Sequence, residues 1–307
     1  MNDLIGLIAQ FRWAVFASVL TGAICPLLGV YFVMRRMILL GIALPQVSSA
    51  GIAFVVMIAQ LVKLHFLPSG ESPFLEENVI VSLAPIGSIG AIFLILFILS
   101  WQERKGGAFT EARWGSAYIS AASLLIIFLI INPYAEAHVA TMLEGRIITV
   151  TQGKFWTLLN VSVIVTFLFI LFRKEFILTS FDPEMAASLG FRTTRWNAGL
   201  YILIGIVISV GVMNLGPLFV FGYLLLPAFA ARPWAVGMKQ FYIYSVILGA
   251  LAAFIGSVFS FWLDWPLAPT EVVIAAIFLL ISRIVLFFRR SLFQACVGHW
   301  QRHYLMK

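Results

Sequence analysis

At 307 residues, 62% hydrophobic and only 11% charged, with a mean hydropathy of +1.03, the chain is far more apolar than a soluble domain of its size. It reads as an integral membrane protein, which excludes a water-soluble enzyme or binding module. The net charge of +7 comes from short basic clusters between long apolar runs, not from one basic face, which argues against nucleic-acid binding and for membrane orientation.

With about 20 apolar residues per crossing as the ruler, the sequence predicts helices near 13–34, 37–62, 79–100, 116–133, 155–172, 198–213, 215–231, 241–263 and 270–288. The expected fold is therefore all-α, a single polytopic transmembrane domain over residues 1–307 with nine spans. The opening "MNDLIGLIAQFRW" lacks a basic start and a small-residue cleavage site, so the first span is expected to remain in the mature protein. Cys25 in that span and Cys296 in the basic tail have neither the spacing nor the shared compartment of a disulfide.

The second span begins in "RRMILLGIALPQVSSAG", residues 35–51. Pro45 removes a hydrogen bond to the carbonyl of Gly41 and predicts a kink beside Gln46. An amide left unpaired in an apolar setting costs roughly 1–3 kcal/mol, so Gln46 is expected to face the bundle or a wet path. Ile42 and Gln46, four residues apart, share one helix face, with Ser49 and Ala50 a turn further on. Two readings stay open here: polar groups that join helices, or a neutral, weakly binding lining for a substrate in transit.

In "AEAHVATMLEGR", residues 135–146, His138 and Glu144 are candidate metal donors, with Met142 one turn from His138 and Glu136 nearby. A solvated polar loop is the alternative. Residues 173–196, the longest polar stretch, are expected to hold one short helix at 182–190. Asp182 is its cap, Pro183 occupies its first turn, Glu184 complements the dipole and Gly190 ends it. With Met185, Ala186 and Leu189 it suits a partner's groove or serves as an interfacial connector.

Residues 197–231 carry no charge and are too long for one ordinary span. "MNLGP", 213–217, predicts two short helices joined by a tight turn; the alternative is one broken helix and eight spans. "LLGIALP" at 39–45 faintly echoes "FGYLLLP" at 221–227. In the tail, His299 and His303 have the spacing of a helical metal pair without a third donor close in sequence, and contact of the basic tail with lipid headgroups is the alternative.

The loop charges orient the bundle. With the N-terminus outside and the C-terminus cytoplasmic, sixteen of the twenty Lys and Arg lie inside, among them Arg35, Arg36, Arg104, Lys105, Arg173 and Lys174. The outside then holds eight of the thirteen acids, including Glu71, Glu76, Glu77, Glu136, Glu144 and Asp264.

The stretch 181–232, "FDPEMAASLGFRTTRWNAGLYILIGIVISVGVMNLGPLFVFGYLLLPAFAAR", resembles the membrane permease subunits of the ABC importers for zinc, manganese and iron. Phe181, Asp182, Glu184, Ala186, Leu189 and Gly190 match that family's F-D-x-E-x-A-x-x-L-G pattern; Leu226, Pro227, Ala228, Ala231 and Arg232 match its L-P-A-x-x-A-R pattern. "GVYFVMRRMILLG", "ERKGGAFTEARWGSAYISAAS" and "LDWPLAPTEVVI" resemble its first loop, second loop and last outer turn, so the similarity is collinear over nearly the whole chain.

The resemblance implies a homodimeric permease in the cytoplasmic (inner) membrane of a prokaryote. It would sit on two ABC ATPase subunits that bind ATP and be fed by an extracytoplasmic solute-binding protein. Residues 182–190 would be the coupling helix, and a divalent metal the cargo. No cofactor is implied on this chain, which has no phosphate loop: its Gly153–Lys154 pair is followed by Phe155. The sequence departs from the family's G-D-A-L-S-H stretch, reading Gly41, Ile42, Ala43, Leu44, Pro45, Gln46. Ile42 removes a ligand and Gln46 offers only a neutral carbonyl, so a tight metal site there is not expected. Alternatives are a metal chelate or non-metal solute as cargo, and a transport-inactive scaffold that only docks an ATPase.

Overall fold

Where no water reaches the backbone, its N–H and C=O groups must bond within the chain, and a helix does this within one segment. The computed structural model describes residues 11–35, 37–66, 77–103, 110–131 and 150–305, and among them every regular element is helical. The α-helices are α1 (Arg12–Arg35), α2 (Ile38–Phe66), α3 (Glu77–Glu103), α4 (Thr110–Ile131), α5 (Gln152–Leu171) and α6 (Arg173–Phe181). They continue with α7 (Pro183–Ser188), α8 (Thr193–Leu215), α9 (Pro217–Ala231), α10 (Met238–Leu263) and α11 (Leu267–Leu305).

Each expected span falls on one of these helices, although α11 runs well beyond residue 288. By length and composition seven can cross a bilayer: α1, α2, α4, α5, α8, α10 and α11. α3 offers a shorter apolar run, Ser82–Ile98. α9 has 15 residues, or about 22 Å at 1.5 Å per residue, against about 30 Å of hydrocarbon. Its short length is compatible with its surroundings: α9 packs against α1, α2, α8, α10 and α11, and Phe219, Val220, Tyr223 and Leu224 are wholly buried.

The uncharged stretch 197–231 is a helical hairpin. Gly216, at φ 84°, ends α8, and Pro217 opens α9 with its fixed φ and missing donor. A Cβ on Gly211 would lie 2.8 Å from Val220, residues almost equidistant from the turn, so the helices fold back on each other. The polar stretch 173–196 corrects the expectation of one short helix, because α6 and α7 divide it. Proline disfavours helical geometry in the residue before it, and Asp182 accordingly leaves the helix at φ −138°, ψ 83°.

α1 and α2 are mostly buried, whereas α4, α5 and α11 are mostly exposed. Exposure falls on apolar side chains such as Phe97, Ile130 and Phe287, each at least 70% exposed, which marks a lipid-facing surface. Helices approach closely at small residues. A Cβ on Gly29 would overlap the backbone carbonyl of Leu224, one on Gly249 the carbonyl of Gly22, and one on Gly51 that of Gly87.

Gly29→Ala therefore forces α1 and α9 apart and should destabilise by about 1–3 kcal/mol. Gly153→Ala, on α5 with nothing within 4 Å, should be neutral or slightly stabilising. Thermal melts of the two variants in detergent check this: Gly29→Ala melts below the parent and Gly153→Ala does not.

Candidate functional site

Helices α2, α3 and α8 meet through serines. Ser48 and Ser88 hydroxyls are 2.6 Å apart, Ser88 and Ser209 hydroxyls 2.5 Å, and all three residues are wholly buried. Each hydroxyl both donates and accepts, so three serines can form a chain without leaving an orphan inside it. Two residues before Ser48, Gln46 lies half-buried, and Ile42 one turn back is half-buried as well. The structure thus brings these two to one partly open face of α2. Pro45 and Ser49 point inward: both are buried, and the Ser49 hydroxyl donates to the Pro45 carbonyl at 3.0 Å.

At the other functional region, α7 is closed at both ends by side chain and backbone. The Asp182 carboxylate accepts from the Met185 N–H at 2.8 Å, Pro183 is the first helical residue, and Glu184 stands in the first turn. At the far end Phe191 N–H donates to the Ala186 carbonyl and Gly190 N–H to Ala187, both at 3.0 Å, with Gly190 at φ 85°. This is the paired 6→1 and 5→2 pattern of a Schellman motif. Regular helix covers only Pro183–Ser188, with Leu189 as the C-cap.

Ala186 is fully buried, while Phe181, Met185 and Leu189 are 57%, 52% and 58% exposed. Met185 and Leu189, four residues apart on α7 and its cap, expose an apolar edge, and Phe181 is exposed at the end of α6 just before the break at Asp182. Arg35, the last residue of α1, donates to the Ser180 hydroxyl of α6 and the Asn197 carbonyl oxygen of α8, both at 2.7 Å. The guanidinium also lies 5.9 Å from the Tyr201 ring centre. One side chain therefore ties the end of α1 to the helices that hold α7.

The metal-donor candidates His138 and Glu144 lie outside the described residues, as does their neighbour Met142. Among the described residues no group of three His, Cys, Asp or Glu side chains could hold a metal.

The structure singles out one residue that the sequence reading left unremarked. Glu271, near the start of the expected span 270–288, lies within α11 and is wholly buried. Neither of its carboxylate oxygens has a hydrogen-bond partner. The available signal was a lone carboxylate followed at once by an apolar run, "TEVVIAAIFLL".

The profile of the ABC 3 transport family matches residues 8–286. The manganese import system permease protein ScaB of Streptococcus parasanguinis is 25% identical over 285 residues, covering 92% of this chain and 94% of that protein. The chelated iron transport system membrane protein YfeD of Yersinia pestis is 22% identical, with 92% and 90% covered. The zinc transport system membrane protein TroC of Treponema pallidum is 25% identical, with 76% and 74% covered. Among solved structures, PsaBC from Streptococcus pneumoniae superposes with a TM-score of 0.74 at 21% identity, covering 92% of this chain and 94% of that one. An inward-facing putative metal-chelate type ABC transporter gives 0.69 at 14% identity, with 93% and 90% covered. At these identities the two structures establish the fold.

Ser88→Ala removes the middle of the serine chain and leaves the Ser48 and Ser209 hydroxyls facing a methyl group. It should cost about 1–3 kcal/mol. Ser116→Ala, at an exposed hydroxyl bonded only to its own helix, should melt with the parent protein.

Proposed function

This chain belongs to the ABC 3 transport family, and on that premise we propose that it is the transmembrane permease subunit of an ABC importer for divalent metal ions, zinc, manganese or iron. It is a multi-pass membrane protein and not itself an enzyme; ATP is hydrolysed by a separate subunit. In this reading nine spans cross the cytoplasmic membrane of a prokaryote with the N-terminus outside and the C-terminus in the cytoplasm. Two copies pair on two ATPases, and an extracytoplasmic solute-binding protein delivers the cargo.

The observation that carries the mechanism is the capped helix α7 with Met185 and Leu189 exposed along it and Phe181 exposed just before it. Burying a large apolar side chain is worth roughly 1.5–3 kcal/mol, so this apolar edge suits a groove on the ATPase. Asp182, Pro183, Glu184, Ala186, Leu189 and Gly190 then act as the coupling element. Their two closed ends keep α7 from fraying as the ATPase moves, and Arg35 passes that movement to α1 and α8.

On the transit side the proposal assigns Ile42 and Gln46 to the path wall and Pro45 and Ser49 to its backing. His138 and Glu144 are proposed as metal donors at the outer mouth. A wall of sec-butyl and amide groups holds a bare cation weakly, which suits passage: a substrate that enters must also leave. The same neutrality favours the second reading, a metal chelate as cargo, because a chelate brings its own ligands.

Met185→Asp puts a charge on the apolar edge and should weaken copurification with the ATPase by roughly ten- to a hundredfold, the equivalent of one lost apolar contact. In proteoliposomes with ATPase and binding protein, ATP-dependent uptake of radiolabelled manganese, zinc or iron should fall in parallel, and Gln46→Ala should change uptake without changing assembly. Uptake of a chelate and of no free cation would move the cargo to the second reading.

A further inference from the structure

Glu271 is a carboxylate in the membrane-embedded part of the bundle whose chemistry the packing alone does not explain. It lies four residues into α11, about 6 Å from that helix's start at 1.5 Å per residue. Its surroundings come from three other helices. Gly256 on α10 leaves the notch through which its side chain passes: a Cβ there would sit 2.6 Å from the Glu271 Cα and 2.7 Å from its Cγ.

On α9 the Tyr223 hydroxyl donates to the Glu271 backbone carbonyl at 3.2 Å and so does not serve the carboxylate. On α1 the Ser18 hydroxyl is the side chain that acts on the carboxyl, while it donates to the Ala14 carbonyl at 3.1 Å. No basic side chain among the described residues is among the groups acting on Glu271. The result is a wholly buried carboxyl group with both oxygens unpartnered and no counter-charge among the described groups acting on it.

An acidic side chain without a partner is costly to keep in such a place, and intramembrane acids of this kind mark ion pathways. We propose that Glu271, assisted by Ser18, binds a hard divalent cation inside the bundle and supplies the anionic donor that α2 lacks at Ile42. The inference rests on the reading of the chain as a metal importer and deepens it. Among the described residues the side-chain groups at Glu271 offer oxygen alone, so the site takes manganese-like cations rather than selecting zinc. One carboxylate and a hydroxyl, completed by water, hold a cation loosely enough to release it. In the proposed orientation the site lies near the outer end of the bundle, where Phe11 of the α1 entrance stacks on Phe261 near the end of α10, with ring centres 5.8 Å apart.

The test uses the purified permease–ATPase complex, treated with EDTA and then titrated with MnCl2. The parent complex should gain thermal stability as manganese binds, because a cation that binds only the folded state raises Tm. Glu271→Gln, which keeps the shape and removes the charge, should lose that gain while melting without metal at or above the parent temperature. Manganese binding should weaken by roughly tenfold or more, the least that losing even a supporting group of a metal site costs, and Glu271→Asp should recover part of it.

A Glu271→Gln complex that binds manganese and imports it as the parent does would overturn the proposal, since the variant mimics a carboxylic acid that is simply protonated. Failure of the importer reading looks different: parent proteoliposomes then import no cation under ATP. The manganese-dependent Tm gain and its loss in Glu271→Gln would still support the cation site, and an absent gain in the parent would overturn it.

Discussion

Helix α1 lies against α9 and α10 because glycine stands wherever a side chain would collide. Gly29 faces the backbone of Leu224, Gly249 faces that of Gly22, and Gly22 itself is closed in by Ala253 and Tyr223. In lipid, apolar side chains gain little by leaving hydrocarbon for a neighbouring helix, so association depends on close backbone approach and on hydrogen bonds. That approach fixes what α1 carries at its two ends. Ser18 lies toward one end, its hydroxyl donating to the Ala14 carbonyl, and Arg35 reaches α6 and α8 at the other.

The polar side chains inside the bundle follow from the same lack of water. Thr21, Ser49 and Ser257 return their hydroxyls to carbonyls four residues back, which satisfies the donor without a second helix. Ser48, Ser88 and Ser209 satisfy one another across three helices. Trp234 donates to Ser282, and Ser282 donates onward to the Ala230 carbonyl, which fixes the α9 end against α11. Tyr31, Tyr242 and Ser245 also leave buried hydroxyls unmet, but among the described residues Glu271 is the carboxyl group with both oxygens buried and unpartnered.

The two regions with functional character are built to different standards. α7 is over-determined: a side-chain cap, a proline start and a Schellman end close six residues, and Arg35 braces the helices on either side of them. The face of α2 bearing Ile42 and Gln46 is half-buried and uncharged. A lever must keep its shape under force, whereas a path wall must let its cargo go. On the proposed reading the molecule specifies its coupling element more tightly than its path wall.

Local chemistry made much of the molecule legible in the sequence. The apolar runs set the helices, Gly216 and Pro217 set the hairpin turn, and Asp182 and Gly190 set the ends of α7, because each depends on a few neighbouring residues. The break between α6 and α7 depends on how Pro183 displaces Asp182, a preference that counting polar residues does not register. The serine chain joins residues 40 and 121 positions apart, and no local pattern announces it. Glu271 falls at the start of the expected span 270–288, and nothing in its neighbours says whether its carboxyl group faces water or the bundle. Only the tertiary structure, by setting Gly256 opposite it and Ser18 across from it, decided that this carboxylate lies inside. The sequence by itself determined which segments become helices, since backbone satisfaction in lipid is local; burial of a given side chain was decided by which helices approach one another, and that is not.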